Sequence, residues 1–264
     1  MRCIFCKKVS TSSRSVEHII PESLGNVDHV LPPGIVCDKC NNYIAREVEK
    51  PLLDSHYFKE RRYYATLPNK KKRIPLIDSI HLQSFTHIQL AKSIDESIPS
   101  IGAAPDADER RFIKSVQELE SGTLIFPIAK KPDDYLISRF VAKVGLEALV
   151  HRVLNVEGAI NEIVDKPELD ELRDFVRRGS PSNPWPYSHR SIYPPDFHFK
   201  YVNESFEVLH EFDILVTNKS EYYIVLAIFG DEYALNLGGR EIEGYLVWLK
   251  MNNNRSPLYS GKNA

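Results

Sequence analysis

Four cysteines in the first forty residues constrain this chain more than any other feature of its sequence. They are the only cysteines among the 264 residues, and they form two C-x-x-C pairs, Cys3 with Cys6 and Cys37 with Cys40. Two thiolates three residues apart on a tight turn can face one ion, and a second such pair completes the tetrahedron that zinc prefers. Because disulfides do not persist in a reducing compartment, we predict a structural Zn²⁺ on these four residues rather than a disulfide or a redox pair.

The residues between and after the cysteine pairs predict the order strand, loop, strand, helix. The apolar run 16–20 ends at Pro21 and fits a first strand, and residues 35–36 fit a brief second strand. From Asp38 the apolar spacing becomes helical, and Pro51 is expected to break or bend this helix.

Three polar residues in this segment have side chains of the kinds that phosphodiester cleavage requires, a general base and ligands for a divalent cation. His18 has the side chain whose ordinary pKa suits the deprotonation of water near neutral pH. Glu17 and Asn41 offer the hard oxygen atoms that bind Mg²⁺. Cys40 would fix Asn41 beside the strand that carries His18. Asn42 stays open as a rival to Asn41, and a plain surface carboxylate stays open as the alternative for Glu17.

Taken together, Cys-x-x-Cys, Glu-His-Ile-Ile-Pro and Cys-x-x-Cys-Asn resemble the HNH endonucleases, specifically the zinc-bearing branch with the ββα-metal fold. The resemblance covers residues 3–50. It implies that His18 is the general base, that Glu17 and Asn41 bind one Mg²⁺ or Mn²⁺ ion, and that the four cysteines are structural. It also implies hydrolysis of nucleic acid, DNA rather than RNA, to leave a 3′-hydroxyl and a 5′-phosphate.

The sequence departs from the family pattern in the loop and at the acidic residue. Pro32 occupies the place, five residues before the third cysteine, where the family has an asparagine that supports the loop; Asn26 and His29 are candidates to replace it. Glu17 stands where many members have aspartate. Neighbouring residues on a regular strand face opposite ways, so a site shared by Glu17 and His18 requires the strand to distort.

The charge distribution indicates which end meets a polyanion. Residues 1–74 contain 14 Lys/Arg and 8 Asp/Glu, whereas the remaining residues contain 20 and 28. This basic start favours nucleic acid as the partner, with chance clustering around residues 70–73 as the alternative. Lys39 and Arg46 are candidates to hold phosphates, and solvated surface charge is the alternative. For Arg139, Lys143 and the basic residues of 173–178 we favour helix-face salt bridges, such as Lys143 with Glu147, over a nucleic-acid surface.

We therefore expect an α+β protein with a ββα-metal (HNH) zinc module over residues 1–58. A basic linker over 59–75 and an accessory domain over 76–264 would follow. The accessory domain is predicted to contain helices over 133–155 and 166–178. An antiparallel sheet is predicted from the runs 206–216, 222–229, 233–237 and 242–249, with a hairpin turn at residues 230–231.

Location and the roles of the accessory domain are less constrained by the sequence. The chain has no run of eighteen apolar residues and enters its first motif at once, so we expect a cytoplasmic protein with no membrane partner. Aromatic residues near Trp185 and Trp248 leave homodimerisation, partner binding and ligand sensing open. The competing interpretation of the whole chain is a non-catalytic zinc module that binds nucleic acid or protein. Pro32 adds a third, a nuclease fold silenced for regulation.

Overall fold

The computed structural model describes residues 1–94, 98–118, 121–128, 130–201 and 204–263. The chain forms two compact units, a discontinuous unit of Met1–Leu53 with Pro132–Ala264 and an inserted unit of Asp54–Lys131. Helices and antiparallel sheets occur together, which confirms the expected α+β class. Within the described ranges, no helix combines the length and the apolar character that a membrane crossing requires.

The start of the discontinuous unit is a hairpin followed by a helix. Strand β1 (Glu17–His18) pairs antiparallel with β2 (Val30–Leu31), and helix α1 (Asp38–Ile44) comes next. The expected order of elements is confirmed, but the second strand lies earlier than residues 35–36. Ile35 instead accepts a hydrogen bond from the backbone N–H of Ile4, which ties the approach to the second cysteine pair onto the first.

Proline bends the first helix without ending it. Helix α1 continues as a π-helical stretch, Ala45–Glu49, and then as α2 (Lys50–Leu53). Pro51 has no N–H, and in an α-helix its ring would collide with the carbonyl four residues back. The wider π-helical turn just before it relieves that collision and lets the helix pass through Pro51.

The rest of the discontinuous unit is built around a four-stranded antiparallel sheet, in which the strands over 210–216, 222–228, 231–236 and 187–191 are neighbours in that order. Its helices are α5 (Asp134–Arg152), α6 (Ala159–Asp165), α7 (Asp170–Arg178), α8 (Glu243–Met251) and α9 (Tyr259–Asn263). The strands of this part of the unit are β7 (Tyr187–Ser191), β8 (His198–Tyr201), β9 (Glu204–Glu207), β10 (His210–Val216), β11 (Tyr222–Ile228) and β12 (Asp231–Asn236). The four-stranded sheet has the order β10-β11-β12-β7, and β8 pairs with β9 in a separate hairpin.

Helices cover both faces of this sheet, so its central strand is buried on both sides. Tyr223 and Val225 of β11 pack against Tyr245 of α8. The opposite face of β11 packs against α5. Gly145 of α5 allows the close approach, since a Cβ there would lie 2.8 Å from a methyl carbon of Ile224. A strand that is covered on two faces reads as a continuous apolar run, which is how residues 222–229 appear in the sequence.

The inserted unit has its own sheet and core. It contains α3 (His56–Tyr64), β3 (Ile77–His81), β4 (Thr86–Ala91), β5 (Ser100–Ala103), α4 (Glu109–Glu118) and β6 (Leu124–Ile125). The strands pair antiparallel in the order β5-β4-β3-β6. The core gathers buried apolar residues from strands and helices: Tyr63, Ile74, Ile77, Ile88, Leu90 and Phe112.

Three features differ from the sequence expectations. Residues 242–249 form helix α8 rather than a strand, because Tyr245 and Leu249, four residues apart, are the pair that the sheet buries. The hairpin turn consists of Phe229 and Gly230, both with positive φ, because Ile228 pairs with Asp231. The segment expected to be a linker begins inside α3, where the side chains of Phe58 and Tyr63 are buried.

The two units do not follow the expected domain boundaries at residues 58 and 75. Residues 1–53 share one unit with residues 132–264, and the segment between them, Asp54–Lys131, forms the separate inserted unit. Specific bonds join the two parts of the discontinuous unit. Arg2 binds both carboxylate oxygens of Asp165 at 2.7 Å, and Arg173 donates to the carbonyl of Ile4 at 2.8 Å.

Candidate functional site

The four cysteine thiols meet in one cluster. The sulfur atoms of Cys3, Cys6, Cys37 and Cys40 all lie within 4.8 Å of one another, and Cys6 and Cys37 are 3.7 Å apart. That spacing is too long for a disulfide bond of about 2.0 Å. It matches the separation of about 3.8 Å expected between sulfurs held 2.3 Å from a tetrahedral zinc ion. The residues present therefore fit a bound metal ion.

Backbone amides and mutual contacts prepare these sulfurs for negative charge. The N–H of Cys37 points to the Cys3 sulfur at 3.3 Å, and the N–H of Cys40 points to the Cys37 sulfur at 3.4 Å. A hydrogen bond from the Cys40 thiol lowers the pKa of Cys3 to about 4, and the same contact raises the pKa of Cys40. One thiolate forms readily, whereas further thiolates so close together require a shared cation.

Polar contacts join the start of α1 to the residues just before β1. The Asp38 carboxylate accepts hydrogen bonds from the Ser15 hydroxyl at 2.6 Å and from the Ser15 backbone N–H at 2.9 Å. The Ser15 hydroxyl is the largest cause of a lowered Asp38 pKa. The Asn41 amide donates to the carbonyl of Val16 at 3.4 Å, whereas Asn42 is exposed. Of the two asparagines, Asn41 is thus the one that contacts the segment leading into β1.

Glu17 and His18 lie on opposite faces of the hairpin. Their Cα partners, Leu31 and Val30, follow one another in register, so the strand shows none of the distortion that a shared site requires. Glu17 is 5% exposed and belongs to the buried face. His18 is half-buried, and its Nδ1 atom is buried with no hydrogen-bond partner among the described residues. A buried ring nitrogen without a partner is unusual in a folded protein and marks His18 as a candidate functional residue.

Asn26 supports the loop between the two strands. Its side-chain amide donates to the carbonyls of Ile20 and His29, at 2.7 and 2.9 Å, and its carbonyl accepts from the His29 N–H at 2.9 Å. These three bonds bridge the two sides of the loop. Pro32 is exposed and supplies only a turn contact to Ile35. Of the two candidates to replace the missing family asparagine, Asn26 makes the supporting contacts with its side chain.

His29 contacts a cluster of aromatic rings instead. Its ring lies 5.9 Å from that of His151 on α5, 6.2 Å from that of His210 on β10, and 5.0 Å from that of Phe212. Burial is the largest cause that lowers the pKa of His210, to about 4, and the nearby His29 adds to it. Among the described residues, the four cysteines are the one group of three or more His, Cys, Asp or Glu side chains that lie close enough together to share an ion. These three histidines therefore form a packing contact between the hairpin loop, α5 and β10.

A buried lysine occupies the inner side of the hairpin. The ammonium group of Lys143, on α5, lies 2.8 Å from a carboxylate oxygen of Glu17, 2.8 Å from one of Glu49 and 2.9 Å from one of Glu147. It also donates to the carbonyls of His18 and Ile19, at 2.7 and 3.1 Å. Burial raises the pKa of Glu17, and the charge of Lys143 opposes that shift. We call Lys143 with these three glutamates the lysine cluster.

One ion pair of the lysine cluster was predicted from the sequence, but its burial was not. The predicted ion pair of Lys143 with Glu147 is confirmed, but both side chains are fully buried rather than on a helix surface. The contacts with Glu17 and Glu49 were not predicted. A signal was present in the sequence, since Lys143 and Glu147 both stand among apolar neighbours, in the stretch Ala-Lys-Val-Gly-Leu-Glu-Ala-Leu.

The remaining candidates differ in exposure. Lys39 and Arg46 are both exposed on the helix that begins with α1, and Arg46 pairs with Glu47 at 2.6 Å. Arg139 is buried and binds backbone carbonyls near the end of α7 and the Tyr43 hydroxyl. Trp185 is 1% exposed, so the aromatic surface considered for the accessory domain does not include it.

Comparisons with known proteins address the N-terminal segment alone. No curated protein and no solved structure matches the chain significantly. Residues 3–56 match the model of the family described as HNH endonuclease, and this match confirms the resemblance expected for that segment of the chain.

Proposed function

We propose that the N-terminal segment hydrolyses phosphodiester bonds in nucleic acid, DNA rather than RNA, and that the four cysteines hold a structural Zn²⁺. The observation that carries the proposal is the family match over residues 3–56 on a segment where a hairpin and a helix meet at a four-thiol cluster. Nuclease-related function is what such a module supports. The finer assignments of residues rest on the resemblance together with the contacts described above.

In this proposal His18 removes a proton from a water molecule, the resulting hydroxide forms a bond to phosphorus, and the P–O3′ bond breaks. The side chain of His18 is half-buried, and its Nδ1 atom makes no hydrogen bond to another described residue. Asn41 and Glu17 are the proposed ligands of a Mg²⁺ or Mn²⁺ ion, which would neutralise charge on the phosphoryl and departing oxygens. Exposed Lys39 and Arg46 are proposed to hold the flanking phosphates.

The role of Glu17 makes the sharpest demand on this proposal, because its side chain and that of His18 lie on opposite faces of the hairpin and a shared site requires β1 to distort when the cation binds. One of its carboxylate oxygens already contacts Lys143, so Glu17 must either use its second oxygen for the cation or serve Lys143 alone. Replacement by glutamine distinguishes the two roles. If Glu17 binds the cation, Glu17→Gln raises the Mg²⁺ concentration that gives half-maximal cleavage. If Glu17 serves only Lys143, the cleavage rate falls while the Mg²⁺ dependence stays where it was.

The test of the function itself is cleavage of supercoiled plasmid and of single-stranded RNA with Mg²⁺ or Mn²⁺. We expect His18→Ala to lower the cleavage rate about 10²–10⁴-fold, the usual contribution of a general base. His87→Ala changes an exposed histidine of the inserted unit and should leave the rate unchanged. Circular dichroism and metal content, measured on both variants, exclude a folding defect.

Two outcomes would contradict the proposal. Equal cutting by His18→Ala and the native chain would assign the activity to a contaminant or to another site. Binding of DNA by the native chain without turnover, under every metal tried, would support the second candidate, a zinc module that binds nucleic acid without cleaving it. The departures at Pro32 and Glu17 make that second candidate the one to test against.

A further inference from the structure

Lys143 contacts the segment that carries the proposed base, although it lies far outside the family match. It belongs to α5, whereas the match ends at residue 56. Its ammonium group donates to the carbonyls of His18 and Ile19 and contacts the Glu17 carboxylate, so it touches three consecutive residues of the hairpin.

Stability alone is a poor explanation for such a lysine. Removing an ammonium group and several carboxylates from water is costly, and well-packed apolar residues of similar volume often serve a fold equally well or better. Lys143 is nevertheless fully buried with Glu147, and Glu17 and Glu49 are largely buried beside them. The buried lysine makes directional contacts to one position of the backbone, which apolar packing cannot do.

The position that these contacts fix is the one that the proposed chemistry needs. Strands β1 and β2 have only two residues each, so their own ladder holds the backbone of His18 weakly. A hydrogen bond of 2.7 Å to the His18 carbonyl limits movement of that residue along and across the strand. The side chain of His18 lies on the other face of the hairpin and is half-buried.

We propose that Lys143 is a positioning residue of the nuclease site, which holds the backbone of His18 and the carboxylate of Glu17 in their working places from α5. The inference rests on the proposed function. It makes the active unit larger than the matched segment, since a residue of the C-terminal part is needed to complete the site.

The experiment compares Lys143→Met with Arg139→Met. Both replace a buried cation on α5 by an unbranched apolar side chain, but Arg139 binds α7 and Tyr43 rather than the hairpin. Four quantities are measured at a temperature where all variants are folded: zinc content, kcat and KM on plasmid DNA, and hydrogen exchange of the peptide 16–31. Lys143→Arg is included as the charge-conserving variant.

We expect Lys143→Met to keep its zinc and its KM within about twofold, and to lose about 10²-fold in kcat, the typical effect of misplacing a reacting group by about 1 Å. Its peptide 16–31 should exchange faster. Arg139→Met should show the native kcat and native exchange in that peptide, whatever its melting temperature. Lys143→Arg should recover part of the lost kcat.

A folded, zinc-loaded Lys143→Met variant with native kcat and native exchange over residues 16–31 would overturn the inference. If Lys143→Met does not fold, Lys143→Gln replaces it, since its amide keeps a donor without the charge. Failure of the proposed function gives a different result. In that case His18→Ala cuts as fast as the native chain, while the exchange measurement still reports whether Lys143 holds the hairpin.

Discussion

Two polar centres hold the hairpin of this protein, and each balances closely spaced acidic groups with a different kind of cation. In the thiol cluster, four groups that carry negative charge when deprotonated need a cation at their centre. In the lysine cluster, three carboxyl groups surround one ammonium group. The first cation must come from solution, whereas the second is part of the chain.

The two centres also differ in how far along the chain they reach. The thiol cluster joins residues no more than 37 positions apart, and the contact of Lys143 with His18 joins residues 125 positions apart. The first can form within the matched segment, and the second requires α5. A metal ion bound by the thiols would organise the two C-x-x-C turns and the start of α1, while Lys143 contacts the strand that carries His18.

The largest effect is expected from breaking the thiol cluster. Cys40→Ala should abolish stoichiometric metal binding and unfold residues 1–50, because apparent binding free energies of structural zinc, about 10–16 kcal/mol in small peptides, rival the stability of a domain. Metal content per chain and hydrogen exchange over residues 1–50 measure the outcome. Ser10→Ala, which removes a buried hydrogen bond to Gly34, is the control and should cost about 1 kcal/mol. A Cys40→Ala chain that keeps one equivalent of metal contradicts the assignment.

Breaking the lysine cluster should lower the unfolding free energy by a smaller amount, and added metal should not restore the lost stability. Lys143→Leu leaves buried carboxylates without their counter-charge, and the loss of unfolding free energy is expected to be about 3–5 kcal/mol. Chemical denaturation measures it, with exposed Lys50→Leu as the control at about 0.5 kcal/mol or less. Added Zn²⁺ should restore a chelator-treated native chain but not this variant. Recovery of Lys143→Leu by zinc would mean that the two centres are not independent.

The loop between the strands offers a smaller test of what else holds the hairpin. Asn26→Ala removes three hydrogen bonds of a buried side chain, and we expect a loss of about 2–3 kcal/mol in unfolding free energy. Denaturation of the variant beside exposed Asn42→Ala gives the comparison. Equal stability of the two variants would show that the loop does not depend on Asn26.

The histidine contact of the hairpin predicts a pH dependence of stability that adds to the one expected from the thiol cluster. His210 has a pKa lowered from 6.5 to about 4 in the fold, so the unfolded chain takes up its proton first as the pH falls. The stability that neutral His210 contributes is present above pH 6.5 and is lost on acidification towards pH 4. Between pH 6.5 and 5 the loss should reach about 2 kcal/mol. His210→Phe, followed by denaturation across this range, should flatten the decline; an unchanged slope would assign it to other groups.

The sequence allowed the thiol cluster to be predicted because its information is local. The two C-x-x-C pairs identify the metal ligands from their spacing alone. The helices after Asp38 and along α5 are recognisable because their apolar residues repeat with a helical period over a few turns of sequence. The α+β class and strands β11 and β12 follow from the same kind of signal.

What could not be predicted depends on tertiary partners. Residues 242–249 are apolar enough for a strand, and only the sheet that buries Tyr245 and Leu249 makes them a helix. From the sequence, Lys143 is interpreted as a surface charge unless its apolar neighbours are considered. No short-range sequence pattern indicates that it contacts Glu17 or Glu49. The opposite orientations of Glu17 and His18 became clear only from the register of the hairpin.

The discontinuity of the first unit has a consequence for how the protein is made. During translation, Leu53 leaves the ribosome 90 residues before Lys143 does, and the inserted unit emerges in between. The cysteines can capture their metal in that interval, while the carboxylates of the hairpin still await their counter-ion. If Lys143 positions His18, a nascent chain carries the recognisable motif before it can cut, and a gene fragment that encodes only the motif would transfer the metal site without the enzyme.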